Sequence, residues 1–450
     1  MLPEGFCEKM KTLLGPEYDS FLAALALPRA VGLRLNPLKI QPQSFWTEDA
    51  SPLSRFDLSP VPWCPTGYYY DPETRPGLHP WHAAGAYYLQ EPSAMAPAEL
   101  LDPQPGERVL DLCAAPGGKT TQIAGKMAGR GVLVCNEIHP KRASILASNV
   151  ERLGIANALV LNEHPSRLAD RFASYFDRVL VDAPCSGEGM FRKHDAAGSD
   201  WSPETVAMCA RRQAEILDSA AGMLRPGGRL VYSTCTFSPE ENEGSVSAFL
   251  ERHPDYSVET VYAPCFSPGR PGWANGNTSL SCTFRLWPHR LRGEGHFAAA
   301  LRRGGDAPGA ELPLEPSERL PKPAVSLLEE LGLTLPTGVF VRFGDRLFLA
   351  PPELPELRGL KVLRPGLELA ELRKDLAVPA HALALWADQA VSCCDLRGDD
   401  PACAAYLRGE TLPSDARGWT LVRADGLSLG WAKGSVGVLK NHYPKGLRIF

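Results

Sequence analysis

Five short apolar runs, separated by helical stretches, occupy the middle of this 450-residue chain. The helical stretches cover 118–128, 140–153 and 203–224. Alternating strands and helices of this kind form a parallel sheet that is covered by helices on both faces. The pattern therefore predicts an α/β fold with five strands, which are "RVLDLC" (108–113), "GVLVCNEI" (131–138), "ALVLNE" (158–163), "FDRVLVDAP" (176–184) and "GGRLVYSTC" (227–235).

The composition changes on both sides of this core. Residues 1–35 show helical spacing of apolar side chains, and the segment 36–92 is rich in proline and aromatic residues. The segment 291–325 is rich in Gly, Pro, Arg and Ala, which predicts a linker or an irregular connection. Strand-like runs follow in 326–385, and residues 385–450 form a further unit. At roughly 150 residues per domain, a chain of this length suggests about three domains.

The formal net charge of −5 means that nucleic acid would have to bind at a local basic patch. Residues 419–450 contain five basic residues and one acidic residue. This stretch is either an RNA-binding surface or an ordinary solvated face, and charge alone leaves both interpretations open. The basic residues are Arg423, Lys433, Lys440, Lys445 and Arg448.

The cysteine spacing and the hydropathy of the chain argue against several classes of protein. The twelve cysteines show no CxxC spacing, which weakens the case for a zinc site. The first residues lack the basic and apolar regions of a signal peptide, and no run of 18 apolar residues is present. We therefore expect a monomeric, cytoplasmic protein with reduced thiols, no metal ion and no membrane contact.

A glycine-containing loop, "DLCAAPGGKT" (111–120), joins the first predicted strand to a helix. Gly117 and Gly118 let the backbone approach a ligand, although such a turn alone is at least as often structural. The spacing matches neither the Walker motif nor GxGxxG. Glu137 follows Gly117 by 20 residues, at the end of the second strand, where an acidic residue binds ribose hydroxyls. Together, the loop and Glu137 predict an adenosine-containing cofactor.

The fourth and fifth predicted strands both end in reactive side chains. The fourth ends at Asp182, which is followed by Cys185, and the fifth ends at Cys235. Ligands of open α/β sheets bind at the carboxyl ends of the strands, and we expect both strands to neighbour the first. A single cysteine is more often a small buried apolar residue, but two at strand ends indicate a shared cleft.

A carboxyl group and a thiol in one cleft fit methylation of a pyrimidine at C5. C6 is a poor electrophile until N3 of the ring is protonated or hydrogen-bonded, and Asp182 would supply that proton. Addition of a thiol to C6 then makes C5 nucleophilic toward a methyl sulfonium in the neighbouring pocket. An amino-directed methyltransferase would instead carry Asp/Asn-Pro-Pro and an aromatic residue here, whereas this chain has Cys185 after Pro184.

These motifs resemble those of the RNA (cytosine-5)-methyltransferases, in particular the bacterial RsmF-type rRNA enzymes. The resemblance implies a Rossmann-like S-adenosylmethionine-dependent methyltransferase core, an N-terminal RNA-binding segment and a C-terminal PUA-like domain. The implied domains are 1–75 for the N-terminal segment, 76–290 for the methyltransferase, 291–384 for a linker and pre-PUA domain, and 385–450 for the PUA-like domain. The strings that carry the resemblance are "DLCAAPGGKT", "DAPCSGEGMFRK", "YSTCTFSPEENE", "RLWPH" (285–289), "GEGHFAA" (293–299) and "KNHYPKGLRI" (440–449).

The resemblance also implies catalytic roles. Cys235 would be the nucleophile that adds to C6, and Cys185 would help to break the covalent protein–RNA adduct. Asp182 would contact the edge of the base or the methionine end of the cofactor. Lys119 would lie near the catalytic pocket.

For the cofactor, the resemblance implies that Glu137 holds the ribose. The residue that meets the adenine would lie at the end of the third strand, at His164 by spacing, with Asn162 and Glu163 as alternatives. The loop around the cofactor would comprise Cys113, Ala114, Ala115, Pro116, Gly117, Gly118 and Lys119.

By the same resemblance, the substrate is a cytosine of small-subunit (16S) rRNA near the decoding region, turned out of its stack to reach Cys235. Arg192 and Lys193 are candidate phosphate contacts. One alternative is the same chemistry on tRNA, which the RsmF-like C-terminal strings disfavour. Another is a non-catalytic RNA-binding factor for ribosome assembly, which the intact Asp182, Cys185 and Cys235 disfavour.

Overall fold

The computed structural model describes residues 2–40, 52–192 and 201–448. Its N-terminal part consists of two helices and a small antiparallel sheet of order β2-β3-β1-β4. The predicted helix over 1–35 is correct up to Ala26 and wrong beyond it, because Pro28 disfavours helix at Leu27 and residues 32–35 pair as a strand. The elements are α1 (Glu4–Leu14), α2 (Tyr18–Ala26), β1 (Gly32–Leu35), β2 (Ser59–Pro60), β3 (Gly67–Tyr69), α3 (Pro80–Ala83) and β4 (Tyr87–Leu89).

The middle of the chain forms the central sheet and its flanking helices. All five predicted strands and all three predicted helices are confirmed. The elements are α4 (Ala96–Leu101), β5 (Arg108–Asp111), α5 (Gly118–Met127), β6 (Val132–Asn136), α6 (Pro140–Arg152), β7 (Ala158–Leu161), α7 (Pro165–Arg171), β8 (Phe176–Asp182), α8 (Pro203–Met223), β9 (Leu224–Thr234), α9 (Glu243–Arg252), β10 (Tyr256–Val258), β11 (Ser267–Pro268), β12 (Phe284–Leu286) and β13 (His296–Arg303).

The strands of the central sheet lie in the order β11-β12-β13-β9-β8-β5-β6-β7. The five predicted strands, β5 to β9, are parallel to one another. The fourth predicted strand, β8, neighbours the first as expected, but the fifth, β9, lies one position further out, beside β8. Both faces of the sheet are buried, since Val179 and Val181 pack in one apolar cluster and Leu180 in the other. This two-sided burial explains the continuous apolar runs in the sequence.

The predicted irregular connection over 291–325 is wrong for residues 296–303, which form β13. This strand pairs antiparallel with β9, with Phe297 opposite Thr234 and Ala298 opposite Ser233. Its side chains from His296 to Leu301 are buried, so the strand belongs to the core. The central sheet therefore continues past the predicted domain boundary at 290.

The C-terminal part adds two further sheets, of order β14-β15-β17-β18 and β19-β21-β22-β23-β20, and extends the central sheet through β16, which pairs antiparallel with β7. The strand-like runs predicted in 326–385 are confirmed. The elements are α10 (Lys322–Leu331), β14 (Val339–Phe343), β15 (Arg346–Ala350), β16 (Val362–Arg364), β17 (Leu367–Arg373), β18 (Leu376–Pro379), α11 (His381–Trp386), β19 (Cys393–Leu396), α12 (Pro401–Arg408), β20 (Leu412–Pro413), β21 (Gly418–Ala424), β22 (Leu427–Ser435) and β23 (Val438–Asn441).

The basic C-terminal stretch is not uniformly open to a partner. The Arg423 guanidinium donates to both carboxylate oxygens of Asp395, at 2.6 and 2.5 Å, so this residue serves the fold. Lys433 lies over the ring of Trp419, 5.0 Å from its centroid. The last two residues of the stretch, 449 and 450, lie outside the described residues.

Candidate active site

The glycine loop connects the carboxyl end of β5 to the first turn of α5, and all seven predicted loop residues lie there. Gly117 has a φ of 112°, a left-handed conformation that favours glycine. The carbonyl oxygens of Ala115 and Pro116 accept hydrogen bonds from Arg142 and Asn149, at 2.8 and 2.9 Å. Helix α6, which carries both donors, therefore fixes the shape of the loop.

Glu137 directly follows β6, the strand beside β5, and is 3% exposed. Its Oε1 accepts a hydrogen bond from the backbone N–H of His139 at 2.9 Å, and its Oε2 lies 3.1 Å from Nη1 of Arg142. The carboxylate thus lies at the same edge of the sheet as the glycine loop, where the sequence placed it. Its contact with a ribose stays a prediction.

Three polar residues follow β7, and each has a different environment. The side-chain amide of Asn162 donates to the carbonyl oxygen of Glu137 at 2.7 Å. Glu163 is buried and accepts from the backbone N–H of Lys361 at 2.7 Å. His164 is exposed and caps α7. Which of the three meets an adenine stays a prediction. Asn162 contacts Glu137 itself, and the backbone of Glu163 makes two hydrogen bonds with the preceding residue, Asn136.

Asp182 ends β8 and binds two donors from other elements. Its Oδ2 accepts from Nζ of Lys119 at 2.7 Å, and its Oδ1 accepts from Oγ of Ser233 at 2.7 Å. Burial by itself would raise the pKa of Asp182, but Lys119 and then His296 outweigh it and lower the pKa below its usual range. The ligand-free protein therefore holds a carboxylate here. The prediction that Asp182 protonates N3 of the base is wrong for the ligand-free protein, because the neighbouring ammonium group of Lys119 stabilises the ionised carboxylate.

The thiols of Cys185 and Cys235 meet at the carboxyl ends of β8 and β9. Their Sγ atoms are 3.4 Å apart although the residues are 50 positions apart in the chain. A hydrogen bond with Cys235, and then burial, raise the pKa of the Cys185 thiol well above its usual value. Cys185 is therefore held protonated, and either thiol can be the donor in this contact. The two strand ends thus bring the cysteines together as predicted, and Lys119 interacts electrostatically with Cys235.

A fully buried carboxylate, Glu188, ties together the two loops that carry the cysteines. Its Oε2 accepts from the hydroxyl of Thr236 and the N–H of Phe237, both at 2.8 Å. Its Oε1 accepts from the hydroxyl of Ser238 at 2.6 Å and from the indole N–H of Trp201 at 2.8 Å. The loop after Cys185 is therefore fixed to the loop after Cys235.

A second buried carboxylate, Glu241, binds the loop that follows Cys185. It accepts from the backbone N–H of Ser186 at 2.9 Å, and from the Ser186 hydroxyl as well. Gln213 donates to Glu241 at 2.8 Å and to the carbonyl oxygen of Pro184 at 3.1 Å, and Tyr232 donates to Gln213. Every member of this network has a partner, which is what makes a buried polar cluster rigid.

Sequence reasoning missed several residues that this geometry brings to the site. The available signal was a polar residue inside an otherwise apolar strand or in a loop that carries a motif. The missed residues are Asp111, Glu188, Ser233, Glu241 and His296.

Arg192 is not available to bind a phosphate, contrary to prediction. Its Nε donates to the buried carboxylate of Glu294 at 2.7 Å, and its other nitrogens donate to the carbonyl oxygens of Ala24 and Gly293, at 2.9 and 3.0 Å. The guanidinium group thus joins the N-terminal helices to the segment before β13. Lys193, the other candidate, lies outside the described residues.

The described parts of the chain contain neither a metal-ligand cluster nor a membrane-spanning helix. No group of three or more His, Cys, Asp or Glu side chains there is arranged to hold a metal ion. No helix there has both the length and the apolar character needed to cross a bilayer.

Four segments of the chain match known families. Residues 98–302 match the 16S rRNA methyltransferase RsmB/F family, and residues 2–92 match the N-terminal domain of 16S rRNA methyltransferase RsmF. Residues 327–386 match the first C-terminal domain of the RsmF rRNA methyltransferase, and residues 394–449 match the methyltransferase RsmF PUA domain.

Relatives and solved structures give the same result. The ribosomal RNA small subunit methyltransferase F of Klebsiella pneumoniae (strain 342) is 34% identical and covers 99% of this chain and 96% of its own. The protein of that name from Vibrio vulnificus (strain YJ016) is 32% identical, and the match covers 99% of this chain and 97% of that protein.

Among solved structures, a methyltransferase homologue from Pyrococcus horikoshii is 28% identical, with a TM-score of 0.56 over 64% of this chain and 91% of that chain. NSun6 from the same organism, solved with SFG, is 23% identical and shows a similar fold. Its TM-score is 0.58, and the match covers 68% of this chain and 99% of that chain. The predicted fold class, a methyltransferase core with an N-terminal domain and a C-terminal PUA domain, is thereby confirmed. The chain belongs to the RsmF family of 16S rRNA methyltransferases, and the protein is a methyltransferase.

Proposed function

We propose that the protein methylates C5 of a cytosine in 16S rRNA, with S-adenosylmethionine as the methyl donor and a covalent bond between Cys235 and C6 as the intermediate. One observation carries this proposal. Two thiols lie 3.4 Å apart beside a carboxylate that a lysine holds ionised, at the carboxyl ends of adjacent parallel strands. Ligands of such sheets bind at this edge.

The residues around the glycine loop fit the proposed cofactor. Asp111 ends β5 just before the loop, and its buried Oδ1 has no hydrogen-bond partner among the described residues, so it can accept one from a ligand. S-adenosylmethionine would supply an electrophilic methyl group on a sulfonium. The residues that would hold it are Cys113, Ala114, Ala115, Pro116, Gly117, Gly118, Lys119, Glu137, Asp182 and one of Asn162, Glu163 and His164.

In this mechanism Cys235 is the nucleophile. Its sulfur, as the thiolate, donates an electron pair to C6, and the electrons of the C5–C6 double bond shift so that C5 becomes nucleophilic. Lys119 offsets the added negative charge, since its ammonium group interacts with both Cys235 and Asp182. The Asp182 carboxylate would accept a hydrogen bond from the exocyclic amino group of the cytosine.

Cys185 acts in release of the product. After C5 has gained its methyl group, a base from the solvent must take the C5 proton, so that the C5–H electrons re-form the C5–C6 double bond and the C6–S bond breaks with its electrons returning to sulfur. Cys185 lies next to that sulfur and its raised pKa keeps it protonated, so it can donate a hydrogen bond to the departing Cys235 thiolate. The same protonation disfavours Cys185 as the attacking thiol.

The RNA substrate is inferred from the relatives, which are named small-subunit rRNA methyltransferases. We infer that the protein acts in the cytoplasm on rRNA in the context of the small ribosomal subunit. The matched PUA domain would form a second contact with that RNA.

Bisulfite sequencing of total RNA from a strain lacking the gene tests this proposal. We expect at least one 5-methylcytosine of 16S rRNA to disappear, to return with the wild-type gene, and to stay absent with Cys235→Ala. Unchanged methylation of 16S rRNA would contradict the proposal. Loss confined to tRNA would establish the tRNA alternative instead.

A further inference from the structure

His296 is a buried imidazole next to the proposed base pocket. It begins β13, lies two residues before Ala298, and is 6% exposed. Ala298 is opposite Ser233 in the sheet, and side chains two residues apart on a strand share a face. His296 therefore lies on the same face as Ser233, the residue that donates to Asp182.

The two ring nitrogens of His296 have different surroundings. Nδ1 is 3.1 Å from the carbonyl oxygen of Gly295. A carbonyl oxygen can only accept, so Nδ1 carries a proton, and Nε2 carries one as well only in the imidazolium form of the ring. Nε2 is buried, has no hydrogen-bond partner within the described residues, and lies 3.8 Å from Oδ1 of Asp182.

Packing does not account for an imidazole at this position. The following residues of the strand, from Phe297 to Leu301, are apolar and buried. A phenylalanine would fill similar space, whereas a buried nitrogen without a partner costs free energy. The polar group next to Nε2 is the carboxylate of Asp182. A shift of about 0.6 Å would bring Nε2 and Oδ1 of Asp182 within hydrogen-bond distance.

Asp182 can accept a further donor beside its present two. Its two oxygens each accept one hydrogen bond, from Lys119 and from Ser233, and each has a second acceptor site. A base that donates to the carboxylate pulls it away from these contacts. A donor at Nε2 of His296 would hold Oδ1 in place from the side of β13.

We propose that His296 is a positioning residue for methyl transfer, and that the Nε2–H of its imidazolium form holds the Asp182 carboxylate against the bound base. This inference rests on the proposed function, since it concerns the same pocket. It predicts that the loss of His296 slows the chemical step while the binding of RNA and of the cofactor changes little.

Three substitutions separate this role from packing. In His296→Gln, the amide nitrogen reaches the position of Nε2, whereas in His296→Asn it reaches only that of Nδ1, and His296→Phe retains the shape alone. With purified full-length protein and 16S rRNA, we expect kcat to fall about 10- to 100-fold in the Phe and Asn variants and about threefold or less in the Gln variant. KM for RNA should change by less than about threefold in all three.

Thermal unfolding of each variant is measured in parallel. If His296→Phe does not fold, the ratio of kcat between the Gln and Asn variants decides, and a ratio near one overturns the inference. A Phe variant with wild-type kcat, or equal losses in the Gln and Phe variants, also overturns it. A wild-type protein that methylates no cytosine would instead contradict the proposed function, which distinguishes the two failures.

Discussion

Two neighbouring strands of the central sheet end in carboxyl groups whose environments differ. Asp111 at the end of β5 is fully buried and accepts one hydrogen bond, from the hydroxyl of Thr120 at 2.6 Å. Asp182 at the end of β8 accepts from the ammonium group of Lys119 and from Ser233.

Burial raises the pKa of the Asp111 carboxyl to about 7, and the Thr120 hydrogen bond opposes it only in part. The same effect at Asp182 is outweighed by Lys119, so that its pKa is lowered. The charge of a buried carboxyl group thus depends on its partner more than on its depth. One strand end keeps a fixed negative charge, while the other is partly protonated near neutral pH.

The largest expected effect follows from removing the fixed charge. Asp182→Asn should lower kcat by about 100- to 10,000-fold, since a positioned carboxylate at the reacting base is replaced by an amide. Asp111→Asn should cost less than about tenfold, because Asp111 is partly protonated already. Steady-state methylation of 16S rRNA measures both losses. Equal losses would contradict the difference in charge between the two carboxyl groups.

A smaller effect on activity follows from removing Lys119, the ion-pair partner of Asp182. In Lys119→Met, burial is no longer offset by an ammonium group, so the pKa of Asp182 rises. Activity that requires the carboxylate should then fall by about 10- to 100-fold at neutral pH and recover as the pH is raised.

The pH profile of kcat is the measurement, and Lys126→Met is the matched control. Lys126 lies on the same helix but pairs with Glu99 at 2.8 Å, away from Asp182. The acidic limb of the kcat profile of Lys126→Met should coincide with that of the wild type. An acidic limb that does not move in Lys119→Met would show that Lys119 does not set the charge of Asp182.

A further expected effect concerns stability. The folded protein keeps a proton on Asp111 up to a pKa of about 7, whereas the unfolded chain releases it near pH 4. Without cofactor, this group therefore lowers the free energy of unfolding as the pH rises from about 4 to about 7, by up to ~4 kcal/mol.

Asp111→Asn should remove this decline. Asp182→Asn should not, because a lowered pKa contributes stability that is lost only as the pH falls below about 4. Urea unfolding of the two variants and the wild type across this pH range measures the difference. Parallel curves for the wild type and Asp111→Asn would contradict the pKa difference between the two carboxyl groups.

Much of this arrangement was predictable from local sequence patterns. The parallel strands are apolar because both of their faces are buried, and their ends are marked by Asp182, Cys185 and Cys235. The loop residues and Lys119 follow from the glycine motif. The resemblance to a family then supplied the roles that the spacing could not.

The remainder depends on long-range pairing that leaves no local pattern. Strand β13 pairs with β9 from a segment whose glycine and arginine content resembles a linker, so His296 was not connected with the site. Glu188 and Glu241 lie in polar loops, where acidic residues are usually solvated. Only the tertiary structure shows that they are buried and that they hold the cysteine loops together.

In the proposed mechanism, Cys235 bonds to the RNA and Cys185 is needed to release it. Incubation of Cys185→Ala with 16S rRNA and S-adenosylmethionine, followed by a denaturing gel, tests both roles at once. We predict a protein–RNA band that is stable to denaturation and is absent from the Cys185→Ala/Cys235→Ala double variant. No band with Cys185→Ala, or a band with Cys235→Ala alone, would contradict the assignment of the two thiols.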